Sequence, residues 1–244
     1  MLLGIDHLVI AVHDPDTAAT VLEQEVGLVF TGGGRHEHAG TFNRLAFLGD
    51  TYIELIGVFD RSLVVSNAAF AVGRASLAFL EERGEGLATW AVASDNVAAD
   101  AAKLQAGGSP IGAPVEGSRT RPDGVVVRWR TAFPPLGPAE PPFLIEHLPD
   151  PAEWGPAARL DRAGFRHPVG GAVRLESISI PGADPATWSK TIGLAVTPEG
   201  VSGIGRQFAK LVEAGGPPEV WMSADNDAVP PLDIVSFGVR WRRQ

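Results

Sequence analysis

The chain contains two segments that repeat one pattern, and this internal repeat limits the folds that it can adopt. Gly4–Asp14 (GIDHLVIAVHD) is matched in outline by Gly86–Asn96 (GLATWAVASDN), and each is a short apolar strand that runs into a helical stretch. Each repeat later reaches a strand with a single glutamate among apolar residues, Glu54 in the first repeat and Glu146 in the second. A buried glutamate needs a partner, and duplication at this period indicates two copies of one supersecondary unit. The pattern therefore predicts one site shared by two similar units.

The first unit has a clear order of elements. Residues 4–12 alternate in a way that predicts a strand buried on both faces, with His7 as a polar residue among apolar ones. Asp14 and the proline after it predict the start of a helix that ends at Gly27. Three strands are predicted to follow, at 28–31, 41–48 and 51–58, so that the first βαβββ module covers residues 1–58.

The same order of elements is predicted a second time and then in part. Residues 59–85 are predicted to hold a connecting helix, and residues 86–149 a second βαβββ module whose strand after the helix lies near 111–116. Residues 150–244 are predicted to form a linker and a partial third module. The predicted fold class is α+β, with paired βαβββ modules forming a curled mixed sheet around a cavity and the partial module at the C-terminal end.

Composition excludes several classes of function. The net charge of −9 argues against nucleic acid or an anionic membrane as a partner, because both require clustered Lys and Arg. The chain has no cysteine, which excludes thiolate nucleophiles and cysteine metal sites. The sequence contains no G-x-S-x-G, G-x-G-x-x-G or P-loop motif. With no apparent signal segment, we expect a cytoplasmic protein.

Four runs of residues resemble a known family. They are Gly33–His36, Gly40–Leu45, Tyr52–Ile56 and, towards the C-terminal part, His167–Gly171. Together with the repeat, they are similar to the glyoxalase-like domain family of the vicinal oxygen chelate superfamily, which includes glyoxalase I, extradiol dioxygenases, methylmalonyl-CoA epimerase and bleomycin resistance proteins. The resemblance is specific for the fold and weak for the reaction, because one fold supports many chemistries.

The resemblance implies a divalent metal site. In that superfamily the ligands come from the first and last strands of each module, which places His7, Glu54 and Glu146 at ligand positions. Such a set would suit Mn, Fe, Ni or Zn, and Glu54 or Glu146 would act as the general base. The fourth ligand position is Thr89, a poor ligand that we expect to contact the substrate instead. His147 is expected to face away from the site, because neighbouring residues of a strand point to opposite faces.

Further residues are candidates for binding a substrate. Arg35 and His36 follow three glycines and could clamp an anionic group, with Thr41 on the next predicted strand. Asn43 lies among apolar residues and is expected to be a hydrogen-bond donor of the pocket. Arg128, on a predicted strand of the second module, faces either a ligand or solvent.

Two hypotheses of function follow. The first is a metal-dependent enzyme, a lyase, isomerase or dioxygenase, that acts on a small oxygen-rich metabolite such as a 2-oxo acid, a thiohemiacetal or a diol. The second is a metal-free protein that binds and sequesters a small molecule in the same cavity. In either case the protein would be a monomer or a homodimer.

Overall fold

A computed structural model describes residues 2–121, 123–149, 153–226 and 230–243, and within them the predicted α+β class is confirmed. The first module consists of β1 (Leu2–Ala11), α1 (Pro15–Glu25), β2 (Gly32–His36), β3 (Thr41–Leu48) and β4 (Thr51–Val58). Two helices, α2 (Arg61–Ser66) and α3 (Ala71–Arg83), connect it to the second module. The second module consists of β5 (Gly86–Ser94), α4 (Val97–Ala106), β6 (Val115–Thr120), β7 (Val126–Ala132) and β8 (Phe143–His147).

The eight strands of the two modules close into a barrel in the order β1-β4-β3-β2-β6-β7-β8-β5. In each module the first strand pairs in parallel with the last, and β1 pairs with β5 in antiparallel orientation. The barrel therefore has the approximate twofold arrangement that the repeat predicts. The two modules meet where β1 pairs with β5 and where β2 pairs with β6.

Strand β1 is buried on both faces because it separates two apolar layers. Leu8, Ile10 and Val12 belong to the main core, which also contains residues of α1 and α4. Val9 packs in a smaller cluster on the opposite side of the strand, and His7 lines the barrel interior. Asp14 caps α1 as predicted, since its side chain accepts hydrogen bonds from two backbone N–H groups of the first turn.

Three sequence-based element predictions need correction. The strand predicted near 111–116 begins later, at Val115, and runs to Thr120. The connection over residues 59–85 holds two helices rather than one, and the predicted strand at 28–31 is not a strand. Leu28 and Phe30 are buried in the main core, and the Val29 N–H donates to His167 Nδ1 at 3.1 Å. The strand begins at Gly32, because the apolar residues before it pack against the C-terminal part of the chain.

The C-terminal part forms a second sheet. It consists of α5 (Pro156–Gly164), β9 (Val173–Pro181), α6 (Pro185–Ile192), β10 (Val201–Ile204), β11 (Gln207–Val212), β12 (Glu219–Ala224), β13 (Leu232–Ser236) and β14 (Val239–Arg243). Its strand order is β10-β11-β9-β12-β14-β13.

The central pairing of this sheet matches that of the barrel. Strand β9 is parallel to β11, β12 is parallel to β14, and β9 is antiparallel to β12. The C-terminal part thus holds two incomplete modules, each with three strands where a barrel module has four, and the sheet stays open. None of the described helices is long and apolar enough to span a membrane.

The two parts share one apolar core. Trp90 of β5 and Trp188 of α6 are fully buried with their ring centroids 5.4 Å apart. At the junction, His167 accepts from Val29 on one ring nitrogen, and its other nitrogen donates to the Phe47 carbonyl at 2.8 Å. Burial lowers the pKa of His167 and outweighs the opposite effect of the bond to Phe47, so this histidine is held neutral.

Candidate functional site

The interior of the barrel contains a cavity that opens to solvent. Its polar lining side chains are His7, His36, Asn43, Glu54, Arg119, Thr131, His147 and Glu153. Its aromatic lining side chains are Tyr52, Phe70, Trp129, Phe133, Phe143 and Trp154. The polar groups are thus set in a largely aromatic wall.

A β-bulge in β1 creates the polar centre of the site. The register between β1 and β5 shifts at this point, since Ile5 pairs with Val92 and His7 pairs with Ala91, which leaves Asp6 as the extra residue. The N–H of Ile5 donates to the side chain of Gln207, in the C-terminal sheet, at 2.7 Å. The bulge allows the side chains of two consecutive residues, Asp6 and His7, to contact each other inside the protein.

Asp6 is a buried carboxylate between two imidazoles. Its Oδ1 lies 2.7 Å from His7 Nδ1, and its two oxygens lie 3.0 and 3.1 Å from His147 Nε2. Burial alone would raise the pKa of Asp6, but the charges and hydrogen bonds of His147 and His7 outweigh it and hold the pKa well below its usual range. An ionised carboxylate only accepts hydrogen bonds, so both imidazoles donate to it.

This arrangement fixes which nitrogen of each imidazole carries the proton. His7 donates through Nδ1, which leaves its Nε2 directed towards Glu54, whose Oε2 lies 3.5 Å away. His147 donates through Nε2, and its Nδ1 has no hydrogen-bond partner among the described residues. In their neutral forms both rings therefore present an unprotonated nitrogen that can accept a proton.

Glu54 is held from two sides. The Asn43 side-chain amide donates to Glu54 Oε1 at 2.6 Å, while His7 lies near the other oxygen. Tyr52 stacks on the His7 ring with centroids 4.5 Å apart. Burial, with the charges of Asp6 and Glu54, raises the pKa of the Tyr52 phenol well above its usual value, so the phenol remains protonated at neutral pH.

One end of the cavity is closed by residues that follow the second module. The Trp154 ring stacks on His147 with centroids 3.5 Å apart. Glu153 accepts a hydrogen bond from Arg119, which also donates to the Gly33 carbonyl at 2.8 Å. Both terminal nitrogens of Arg119 thus donate to protein groups at the cavity wall.

His36 and Thr41 form a separate buried pair in which His36 Nδ1 lies 2.9 Å from the Thr41 hydroxyl. Burial, with a smaller contribution from the positive charge of Arg119, lowers the pKa of His36 to about 3. This imidazole is therefore neutral at physiological pH and serves as a hydrogen-bonding group.

The structure brings some of the predicted site residues together and leaves others outside. His7, His36, Asn43 and Glu54 line the cavity. Thr41 does not line the cavity but is hydrogen-bonded to His36, which does. Thr89 is buried, and its hydroxyl has no partner among the described residues.

Arg35 and Arg128 lie outside the cavity, in an adjoining groove. Arg35 is exposed, pairs with Glu37 at 2.9 Å and lies over the Phe59 ring at 3.7 Å. Arg128 is exposed to solvent on β7. Neither arginine reaches the polar centre of the cavity.

The expected position of Glu146 is wrong, and so is that of His147. On β8 the residues that line the cavity are Phe143, Ile145 and His147, so Glu146 points to the outer face by strand alternation. There it accepts a hydrogen bond from the Val97 N–H at 3.1 Å and lies 3.5 Å from Arg130.

The error comes from equating two glutamates that are not at equivalent positions. The alignment of the repeats that matches Gly4 with Gly86 also matches Val9 with Ala91. Glu54 lies beside Val9, whereas the residue beside Ala91 is Phe143. An aromatic ring therefore occupies the position in the second module that Glu54 occupies in the first.

The donor set does not fit the metal site that the family resemblance implied. Glu146 is on the outer face, Thr89 replaces a strong ligand, and Phe143 occupies the position equivalent to Glu54. Among the residues that the structure describes, no group of three or more His, Asp or Glu side chains is placed to hold a metal ion. Only His7 and Glu54 remain of the implied set.

Sequence reasoning missed Asp6 and misplaced His147. One signal was available for Asp6, since a charged residue directly before His7 interrupts an otherwise apolar strand. For His147 the signal was its place at the end of a strand whose apolar residues, Phe143 and Ile145, share its face.

Comparisons with known proteins agree with this fold. The family model described as a glyoxalase-like domain matches residues 5–195. No curated protein sequence matches the chain.

Among solved structures, one resembles nearly the whole chain, which supports the fold alone. The crystal structure of a hypothetical protein from Staphylococcus aureus superposes with a TM-score of 0.77 at 17% identity and covers 98% of both chains. Methylmalonyl-CoA epimerase from Mycobacterium tuberculosis has a TM-score of 0.46 at 22% identity and covers 62% of this chain and 92% of its own. The family model spans most of the 244 residues, and the chain thus belongs to the glyoxalase-like domain family.

Proposed function

We propose that the protein is an enzyme that transfers protons on a small oxygen-bearing metabolite held in the barrel cavity, an isomerase or a lyase by reaction type. The observation that carries the proposal is the buried Asp6 carboxylate, which accepts hydrogen bonds from His7 and His147 and leaves one basic nitrogen on each ring. Proton transfer by positioned side chains needs such oriented bases.

The geometry supports a division of roles. The pair of His7 and Glu54, whose nearest atoms are 3.5 Å apart, would accept the proton from the carbon next to a substrate carbonyl. The electron pair of the broken C–H bond moves into the enolate, and return of the proton to carbon completes an isomerisation. Asp6 stabilises the positive charge that His7 gains when it takes up a proton.

His147 would act on the substrate from a second position. Its Nε2–H is held by Asp6, and Trp154 fixes the plane of its ring by stacking at 3.5 Å. A base held at both its ring nitrogen and its face is well oriented for proton transfer. No step of this proposal passes through a metal ion.

A metal-free protein that sequesters a small molecule is the second candidate. The stacked rings of the cavity wall favour it, because aromatic surfaces bind ligands without any chemistry. The two candidates differ in one measurable property, the exchange of substrate protons with solvent.

The test is proton exchange in D₂O followed by ¹H NMR. The purified protein would be incubated with small carbonyl compounds that carry a proton on the adjacent carbon, including 2-oxo acids, hydroxy ketones and aryl ketones. We expect exchange of at least one compound above the uncatalysed rate, and a loss of about 100-fold or more in Glu54→Gln. The matched control is Glu23→Gln, which makes the same change on the exposed face of α1.

Two results would count against the proposal. Exchange that is equal in Glu54→Gln and wild type would remove Glu54 from the chemistry. Tight binding of a compound without any catalysed exchange would identify the protein as a sequestering protein.

A further inference from the structure

Flat aromatic surfaces surround the space that a ligand would occupy. Phe133 and Phe143 are in contact with centroids 5.1 Å apart. Elsewhere in the wall Tyr52 lies parallel to His7, and Trp154 lies parallel to His147. Within each of these two pairs the facing surfaces are occupied by each other, so a ligand would meet the remaining faces and edges of the rings. An aromatic wall of this kind favours a planar ligand.

The charged groups of the cavity are mainly acidic. Asp6, Glu54 and Glu153 contribute three carboxylates at or directly behind its wall. Among the residues that the structure describes, the one guanidinium in the lining belongs to Arg119, and it donates to Glu153 and to the Gly33 carbonyl. The imidazoles of His7 and His147 are committed to Asp6. A carboxylate ligand would therefore enter without a free cation to pair with, at a considerable electrostatic penalty.

Polar atoms without protein partners indicate where a neutral ligand would bond. His147 Nδ1, Trp154 Nε1 and Asn43 Oδ1 are buried and have no hydrogen-bond partner among the described residues, although all three side chains line the cavity. Buried polar atoms are normally paired. The indole N–H is a donor, the amide oxygen is an acceptor, and the imidazole nitrogen is an acceptor when its ring is neutral.

We propose that the substrate is a neutral, planar ring compound that carries a carbonyl or hydroxyl group, and that the cavity excludes carboxylates. This inference rests on the proposed function for its site, and it narrows the substrate class from oxygen-rich metabolites in general to uncharged ones. The inference excludes 2-oxo acids, which the sequence alone had left among the candidate substrates.

The test compares binding of three ligands by isothermal titration calorimetry. Phenylacetone and phenylpyruvate share the ring, the methylene and the ketone, and differ by a methyl group in place of a carboxylate. Cyclohexylacetone keeps the neutral ketone but replaces the flat ring with a puckered one. We expect phenylacetone to bind about tenfold or more tightly than either of the others.

A charge variant probes the cause of the discrimination. Glu54→Gln removes one negative charge from the cavity wall. It should reduce the ratio of the phenylpyruvate Kd to the phenylacetone Kd by about threefold or more, whereas Glu23→Gln should leave this ratio unchanged. The comparison of ligands on the wild-type protein does not depend on any variant being folded.

The outcomes separate this inference from the proposed function. Equal or tighter binding of phenylpyruvate, equal binding of cyclohexylacetone, or no binding of phenylacetone would overturn the inference. Catalysed proton exchange of 2-oxo acids alone would also overturn the inference about the substrate, but it would support the proposed function of proton transfer. Selective binding of phenylacetone without any exchange would support the inference and contradict the enzymatic role.

Discussion

Replacement of Asp6 by asparagine should destabilise the protein measurably, because it removes a buried negative charge that both imidazoles contact. The carboxylate accepts from His7 at 2.7 Å and from His147 at 3.0 and 3.1 Å. Hydrogen bonds to charged groups contribute roughly 1.5–3 kcal/mol each. The asparagine oxygen can still accept from one ring, so one bond is lost and one buried N–H is left unpaired.

We therefore expect Asp6→Asn to lower the free energy of unfolding by about 3 kcal/mol, near the lower end of the range for breaking a buried charge pair. With an m-value of about 3 kcal/mol/M, this lowers the midpoint of urea unfolding by roughly 1 M. The assay is urea denaturation followed by tryptophan fluorescence and circular dichroism. The control is Asp16→Asn, since Asp16 is exposed and pairs with Arg44 at the surface. Its midpoint should hardly change.

The pH dependence provides a second check on the same reasoning. The pKa of Asp6 is depressed below its usual value of 3.8, so its stabilising contribution is present above that pH and is lost as the pH falls below it. The difference in stability between wild type and Asp6→Asn should accordingly shrink below about pH 4. An Asp6→Asn protein as stable as Asp16→Asn at pH 7, or a difference that grows in acid, would refute the assignment of Asp6 as a buried anion.

Three further predictions concern other parts of the molecule. Gly40→Ala should destabilise the protein far more than Gly49→Ala, although both glycines have positive φ. An added Cβ would lie 2.2 Å from the Asp60 carbonyl oxygen at Gly40 and would meet nothing within 4 Å at Gly49. Thermal denaturation of the two variants measures this contrast. The lowered pKa of His167 means that its contribution to stability is present above pH 6.5 and is lost as the pH falls, so Tm should fall less in acid for His167→Gln than for wild type. Elemental analysis of protein purified without chelators or added metal should find no stoichiometric divalent metal, and a bound equivalent of Mn, Fe, Ni or Zn would show that the donor set has been misjudged.

Local patterns in the sequence were sufficient for much of the fold. The cap at Asp14, the end of α1 before Gly27 and the strand through His7 all follow from neighbouring residues. The repeat also predicted the pairing of two modules around a cavity. These features depend on hydrogen bonds and periodicities within a few residues.

The site was harder to predict because it depends on register and on distant contacts. The bulge at Asp6 adds one residue to β1, and alternation in the sequence does not reveal which residue is extra. Glu146 resembled Glu54 in its local surroundings, yet strand pairing places Phe143 at the equivalent position. The sequence from Leu28 predicted a strand, but Leu28 packs in the main core with residues that are distant in the sequence, and this segment does not form a strand.

The hydrogen bond between Ile5 and Gln207 joins two residues that are 202 positions apart in the chain. Gln207 also donates to the Thr51 hydroxyl at 2.8 Å, which in turn donates to the Ile5 carbonyl. On the ribosome every strand of the barrel is made before Gln207 emerges, so these hydrogen bonds to Ile5 and Thr51 form only after residue 207 has been added. The order of synthesis thus adds this support of the site after the barrel strands themselves.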